Sequence, residues 1–180
     1  PEAGQVWSSK AHADTLQLIA ESNGEAFYRG ELADKIDQYA KEYDGFLSKA
    51  DLNAYQPEWV DPISVNYHGY DVWEIPPNGQ GLIALMALNI LNDFDFETKD
   101  TLETYHKQIE ALKLAFSDGK KYITDIDKMK VKVEDLLSTA YASKRRSLIK
   151  ETALQPEPGN LDKGGTVYLA AADKEGNMVS

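Results

Sequence analysis

Cysteine is absent from all 180 residues, which excludes disulfides, thiolate nucleophiles and cysteine-ligated metal sites together. Its absence leaves the compartment open between bacterial cytoplasm and secretion or periplasm. Positive charge is scarce: 19 Lys and Arg stand against 30 Asp and Glu, for a net charge of -11. That balance repels nucleic acid and anionic membrane surfaces, and the longest basic run is Lys144, Arg145, Arg146. Long apolar runs are missing too. The longest, Leu82 to Leu88, falls far short of the roughly 20 residues a membrane helix needs, so neither nucleic-acid binding nor membrane insertion is expected. No basic and apolar signal segment opens the chain. It begins PEAGQVWSSK without methionine, and it is therefore expected to have been cut from a longer protein or processed.

Histidine is also sparse. His12, His68 and His106 have no partner at HxxxH or HxH spacing, so they read as structural or solvated side chains rather than metal ligands. Asp118, Asp125 and Asp127 offer a hard-cation alternative, but the stretch lacks the glycine and terminal glutamate of a calcium loop. No metal or cofactor is expected.

What is present describes a folded chain, with 42% hydrophobic residues and length enough for a sizeable core. Ser8 or Ser9 can cap a helix through HADTLQLIAE with Leu16, Ile19 and Ala20 on one face. ELADKIDQYAKEY places Leu32, Ile36, Tyr39 and Tyr43 at helical spacing and stops at Gly45. Ser48 can cap a short helix through ADLNAY. After Pro57 and Pro62, ISVNY, HG and YDVWEI read as a hairpin over residues 63–75. PPNGQG turns into LIALMALNIL, apolar on nearly all sides and so expected to be buried. NGQG could present N–H groups to a phosphate, but it lacks a P-loop lysine and reads more simply as a tight turn. TLETYHKQIEALKLAF puts Leu102, Tyr105, Ile109, Leu112 and Phe116 on one stripe with the charges opposite. A looser stretch, SDGKKYITDIDKMKVKV, leads to EDLLSTAYASKRRSLI, helical in its second half. ETALQPEPGNLDKGG, with two prolines and three glycines, reads as an exposed linker before a final strand.

Thr166 follows two glycines at the start of that strand. A β-branched residue there needs no special explanation. The functional alternative is a nucleophile whose own amine, once freed, serves as base for its hydroxyl, and this requires the Gly165–Thr166 bond to break. Glycine before the bond permits a strained backbone, and an exposed linker lets a new end move away.

Several segments in the right order resemble the gamma-glutamyltransferase family, also called gamma-glutamyl transpeptidase, among the N-terminal nucleophile hydrolases. GEAFYRGELADKI is similar to the family's AFYxGxLAxxI. ADLNAYQPEWVDPISVNYHGYDVWEIPP is similar to DLxxYxxxxxxPxxxxYxGxxVxxxPP. GQGLIALMALNIL, IEALKLAFSD and LLSTAYASKR follow, and TVYLAAADKEGNMVS aligns without a gap to TTHxSVVDxxGNxVS. The resemblance implies that Thr166 is the nucleophile and Gly165 the carbonyl side of a self-processed bond. It implies transfer of gamma-glutamyl groups from glutathione-type substrates to water, an amino acid or a peptide, with no cofactor.

The sequence also departs from the pattern. Val167 and Tyr168 replace a threonine and a histidine, PPNGQG replaces PPPSSGG, and Gly119 stands where AFADRxxY has arginine. A glutaryl- or cephalosporin-acylase type of amidohydrolase is the alternative activity, and a non-catalytic helical interaction module the alternative class. The resemblance places the substrate-carboxylate arginine upstream of these residues and the oxyanion glycines downstream, so the 180-residue piece is expected to be inactive and uncleaved by itself, with the rest of the parent chain as its partner.

The expected fold is α+β and predominantly helical, with about six helices, whereas the intact family fold is a four-layer αββα sandwich. Residues 1–155 would be the helical part of the large subunit, 156–165 the processing linker, and 166–180 the truncated beginning of the small subunit. The final strand is expected to lack its sheet partners.

Overall fold

The computed structural model describes residues 2–161, 171–176 and 178–179. The chain forms two compact units, Pro1–Trp59 and Val60–Ser180. The first is helical: α1 (Lys10–Glu21), α2 (Glu25–Tyr28), α3 (Glu31–Glu42) and α4 (Lys49–Ala54). Ser9, not Ser8, caps α1, its Oγ accepting from the His12 N–H. No residue of α1 is buried. Leu16 and Ala20 are exposed, and the partly covered side runs through Leu18 and Ile19 instead.

Helix α2 lies within a stretch read only as a motif. Ser22 Oγ accepts from the Ala26 N–H, and Gly24, at φ 89°, turns the chain out of α1. Gly30 then brings the start of α3 against α2, where a Cβ would lie 2.9 Å from Ala26 Cα. Ala26, Leu32, Ala33 and Leu52 are buried. Ile36 is half-buried, but Tyr39 and Tyr43 at the far end of the expected stripe are exposed and pack on each other, 4.5 Å between ring centroids. Ser48 and Asp51 close a reciprocal capping box on α4, each satisfying a backbone donor that the helix leaves free.

In the second unit β1 (Ile63–Tyr67) pairs antiparallel with β2 (Tyr70–Glu74), Val65 opposite Val72. His68 and Gly69 both take positive φ, the geometry of a two-residue turn whose twist matches the strands. Helix α5 (Gly81–Leu91) follows. Leu82 and Leu85 have no solvent exposure, and each contributes about 1.5–3 kcal/mol by burial. Helix α6 (Leu102–Tyr122) runs alongside, past the expected end at Phe116. A 3-10 turn at Ile126–Lys128, then α7 (Val133–Leu136) and α8 (Thr139–Arg146), complete the helical layer. Leu82, Ile83, Met86 and Ala87 meet Ala115, Leu136 and Tyr141 in one cluster, and Ile90 and Leu91 meet Ala111 and Leu114 in a second.

The α6 face that packs is not the one its apolar stripe predicts. Leu102, Tyr105, Ile109, Leu112 and Phe116 are all exposed, while Thr104, Glu110, Ala111, Leu114, Ala115, Asp118 and Gly119 are buried. Ala111, Ala115 and Gly119 recur every fourth residue and form a ridge of small side chains. Close approach explains the choice: a Cβ on Gly119 would lie 2.6 Å from Ile83 Cδ1. An arginine at 119 would have to displace Ile83.

At the C-terminus the described strands pair only with each other. The described pair β3 (Ala171–Ala172) and β4 (Met178–Val179) is antiparallel. Gly176 at φ 87° closes the turn, its N–H donating to the Asp173 carbonyl. With eight α-helices and two small antiparallel pairs among the described residues, the fold is α+β and predominantly helical.

Candidate functional site

Gly165 and Thr166 lie outside the described residues, as do Val167 and Tyr168. The structure does describe the segment that leads to them. Residues 152–161 carry no helix or strand, as the prolines require, and most of their side chains are exposed. Their backbone, however, is held. The expected exposed linker is thus tied to α6 and α8 by side chains, because a chain without secondary structure needs other partners for its N–H and C=O groups.

The first tie is at Leu154. Its N–H donates to Glu110 Oε2 at 3.0 Å, and its carbonyl accepts from Lys113 Nζ at 2.6 Å. Lys113 also meets Glu110 Oε1 at 2.6 Å. Burial pushes the Glu110 carboxyl up, but the Lys113 ammonium, the Leu154 N–H and His106 outweigh it and hold the group below the usual carboxylate range. His106 Nε2 lies 2.6 Å from the Lys150 carbonyl, so this histidine serves the same segment.

The second tie is at Gly159. Its N–H donates to Asp118 Oδ1 at 2.7 Å, and its carbonyl accepts from the Tyr122 hydroxyl. Two residues earlier the Glu157 carbonyl accepts from Arg145 Nη2 at 2.7 Å. Arg145 Nε lies 2.9 Å from Asp118 Oδ2, with both side chains almost fully buried. That approach is off the hydrogen-bonding direction, and among the described residues Oδ2, Nε and the Tyr141 hydroxyl have no well-aligned partner. Burial raises the Asp118 carboxyl above its ordinary value against the pull of the Gly159 N–H and Arg145. Burial and the Asp118 carboxylate raise the Tyr141 phenol as well, which keeps it protonated at neutral pH. Gly159 fits because it has no side chain: a Cβ would lie 2.2 Å from the Tyr141 hydroxyl oxygen.

A groove of about 590 Å³ runs beside this segment, with Ile109, Leu112, Phe116 and Lys120 of α6 on one side and Pro156 and Pro158 on the other. At the NGQG turn a Cβ on Gly81 would lie 2.5 Å from Glu74 Oε2. The N-terminus of α5 therefore faces the chain's own carboxylate rather than an open phosphate site. Asp118 is committed to Arg145 and Gly159, while Asp125 and Asp127 are exposed on the 3-10 turn, so the three do not converge.

Residue-by-residue reading did not single out Glu110, Tyr141 and Arg145. The available signal was a charge at a packed position: Glu110, Leu114 and Asp118 share one helix face at four-residue spacing. Arg145 was concealed in a basic run that otherwise reads as a solvated helix end.

The family model of gamma-glutamyltranspeptidase matches residues 1–180. The chain belongs to this family. It is an enzyme family of N-terminal nucleophile hydrolases, so the family resemblance carried by GEAFYRGELADKI and the closing TVYLAAADKEGNMVS holds over the whole chain. The glutathione hydrolase-like YwrD proenzyme of Bacillus subtilis (strain 168) is 36% identical over 182 residues, covering 100% of this chain and 34% of that protein. The glutathione hydrolase proenzyme of Escherichia coli (strain K12) is 34% identical over 181 residues, covering 93% of this chain and 31% of that protein. The crystal structure of cephalosporin acylase from Bacillus halodurans matches with a TM-score of 0.75 and 62% identity, over 99% of this chain and 32% of that one. The chain spans about a third of the length of these curated relatives.

Proposed function

We propose that this chain is the nucleophile-bearing part of a gamma-glutamyltranspeptidase-family proenzyme that cleaves itself before Thr166 and then transfers acyl groups. The observation that carries the proposal is the pattern GGTVYLAAADKEGNMVS at Gly164–Ser180, inside a family match that runs from residue 1 to 180. Thr166 Oγ attacks the Gly165 carbonyl carbon, the Gly165–Thr166 C–N bond breaks, and the amine takes the proton. Water then hydrolyses the ester, leaving a Gly165 carboxylate and a free Thr166 amine and hydroxyl. That amine is the base for the next attack, on a gamma-glutamyl amide, and the acyl group passes to water, an amino acid or a peptide.

In this proposal residues 1–155 belong to the large subunit, 156–165 to the processing linker, and 166–180 to the start of the small subunit. The oxyanion donors and the substrate-carboxylate contacts come from the rest of the parent chain. Electrostatic stabilisation of the oxyanion is a large part of acyl-transfer catalysis, so the 180 residues alone are inactive and uncleaved. The exposed row Ile109, Leu112 and Phe116 on α6 supports such a partner, because contiguous large apolar side chains mark surfaces that are covered in the working protein. Among the described residues no helix is long and apolar enough to cross a membrane.

A second reading is supported by the 62% identity to the cephalosporin acylase structure, together with Val167 and Tyr168 in place of the family's threonine and histidine. It keeps the same nucleophile and processing and exchanges the acyl group for a glutaryl-type one. Expression of the complete proenzyme, wild type beside Thr166→Ala, tests both. Intact mass should show two subunits in the wild type and one uncleaved chain in the variant, and release from gamma-glutamyl and glutaryl anilides assigns the acyl group. Persistence of cleavage and release in Thr166→Ala would remove Thr166 from the mechanism.

A further inference from the structure

We propose that Asp118, Tyr122, Tyr141 and Arg145 form a register clamp that positions the segment leading to the scissile bond for self-cleavage. The inference rests on the reading of Thr166 as the self-cleaving nucleophile.

Three features carry it. The clamp holds backbone, not side chains: both polar groups of Gly159 and the carbonyl of Glu157 are taken by α6 and α8. Hydrogen bonds of this kind fix position without regard to the side chains that pass. The ion pair behind them is almost fully buried, Asp118 at 1% and Arg145 at 4% exposure. A buried pair is a poor source of net stability, since apolar side chains of similar volume do as well or better, and its best-attested use is to specify one register. Finally, the clamp admits one residue. The space beside the Tyr141 hydroxyl excludes a Cβ at position 159, so a slip by one residue would drive Pro158 or Asn160 into it.

Chain length converts this local fixation into a constraint on the chemistry. Leu161 packs against the Leu82–Tyr141 cluster, and four residues, Asp162 to Gly165, separate it from the bond. At about 3.6 Å per residue the Gly165 end lies within about 14 Å of Leu161. A slip of one residue would lengthen or shorten that tether by about 3.5 Å, as large as the whole distance from which a nucleophile attacks, about 3–3.5 Å. Because the clamp lies upstream of the bond, the same tether holds the new carboxylate end after cleavage. That end stays within the same reach of Leu161, about 14 Å, as long as the clamp holds.

The test uses the complete proenzyme in four forms: wild type, Gly159→Ala, Tyr122→Phe and Thr166→Ala. The first-order rate of subunit appearance is followed by intact mass. For the cleaved fraction, kcat and KM are measured on whichever of the gamma-glutamyl and glutaryl anilides the wild type hydrolyses. Gly159→Ala should slow self-cleavage about 10- to 100-fold, the penalty of a misplacement near 1 Å, while kcat and KM of the cleaved fraction stay within about twofold of wild type. Tyr122→Phe deletes only the hydroxyl that holds the Gly159 carbonyl; it should slow processing less and in the same direction, and it keeps the test decisive if Gly159→Ala fails to fold. Wild-type processing in Tyr122→Phe and in any folded Gly159→Ala, with Thr166→Ala uncleaved, overturns the clamp and leaves the nucleophile standing. A parallel fall in processing and turnover also overturns it, because a merely structural role lowers both. Cleavage of Thr166→Ala at the wild-type rate overturns the reading on which the clamp rests.

Discussion

Replacing Arg145 with methionine removes a buried cation and keeps a chain of similar length. In the structure this deletes the 2.9 Å approach to Asp118 Oδ2, the 2.7 Å bond to the Glu157 carbonyl and a 3.4 Å contact with the Leu114 carbonyl. Removing one partner of a buried pair costs about 3–5 kcal/mol because the other charge is left uncompensated. Here the lower end applies. Glu157 is exposed, so water takes over its carbonyl, and Asp118 can neutralise itself, since burial already holds its carboxyl above the ordinary value. The expected loss is about 3 kcal/mol at pH 7. A raised folded-state value means that stability from this carboxyl is fully present below the ordinary aspartate pKa, about 3.9, and is lost as pH rises through the folded value. Without Arg145 that value rises further, so the deficit of the variant should be small near pH 4 and widen toward pH 7. Urea denaturation in a Thr166→Ala background, which the proposed mechanism leaves uncleaved, reads the difference at both pH values. A companion, Asp118→Leu with Arg145→Met, should regain most of the loss, since an apolar pair replaces an ionic one. In that double variant the Gly159 amide should still exchange fast, its acceptor being gone. A deficit below about 1 kcal/mol at pH 7, the size of one ordinary hydrogen bond, or an equal deficit at both pH values, would refute the reasoning.

The Glu110 tie should respond to acid with the opposite sign. Its carboxyl is held below the usual range, so its contribution is present above the ordinary glutamate pKa, about 4.3, and is lost as pH falls through the lower folded value. Protection of the Leu154 amide, followed by hydrogen exchange corrected for intrinsic rate, should fall below about pH 4; protection unchanged down to pH 3 would count against it. Leu85→Ala, at a position with no exposure, should cost about 2–5 kcal/mol by urea denaturation in the same background, and a loss under about 1 kcal/mol would mean that α5 is less closely packed than the structure shows.

Local signals were legible because their causes are local. Ser9 and Ser48 cap helices by reaching donors three residues away, and His68-Gly69 sets its hairpin by its own dihedral angles. The apolar LIALMALNIL was legible for another reason, since a helix without a polar side has to be buried on most sides. The stripe of α6 misled. Periodicity shows that Leu102, Tyr105, Ile109, Leu112 and Phe116 lie on one face, but not whether this core or another surface takes that face. The small ridge at Ala111, Ala115 and Gly119 decided the packing by allowing α5 to come close. The clamp was illegible for a related reason: Asp118 and Arg145 are 27 positions apart in the sequence, and neither carries a spacing that points to the other.

By itself, then, the sequence determined the helical character, the hairpin, the family and the place of Thr166 behind Gly165, because each is written in neighbouring residues or in an ordered set of motifs. Only the tertiary structure decided which face of α6 is core, and that the proline-rich stretch before Gly165 and Thr166 is held rather than loose. Those outcomes depend on which side chains meet across helices far apart in the chain, and on the space beside Tyr141 that glycine alone can fill.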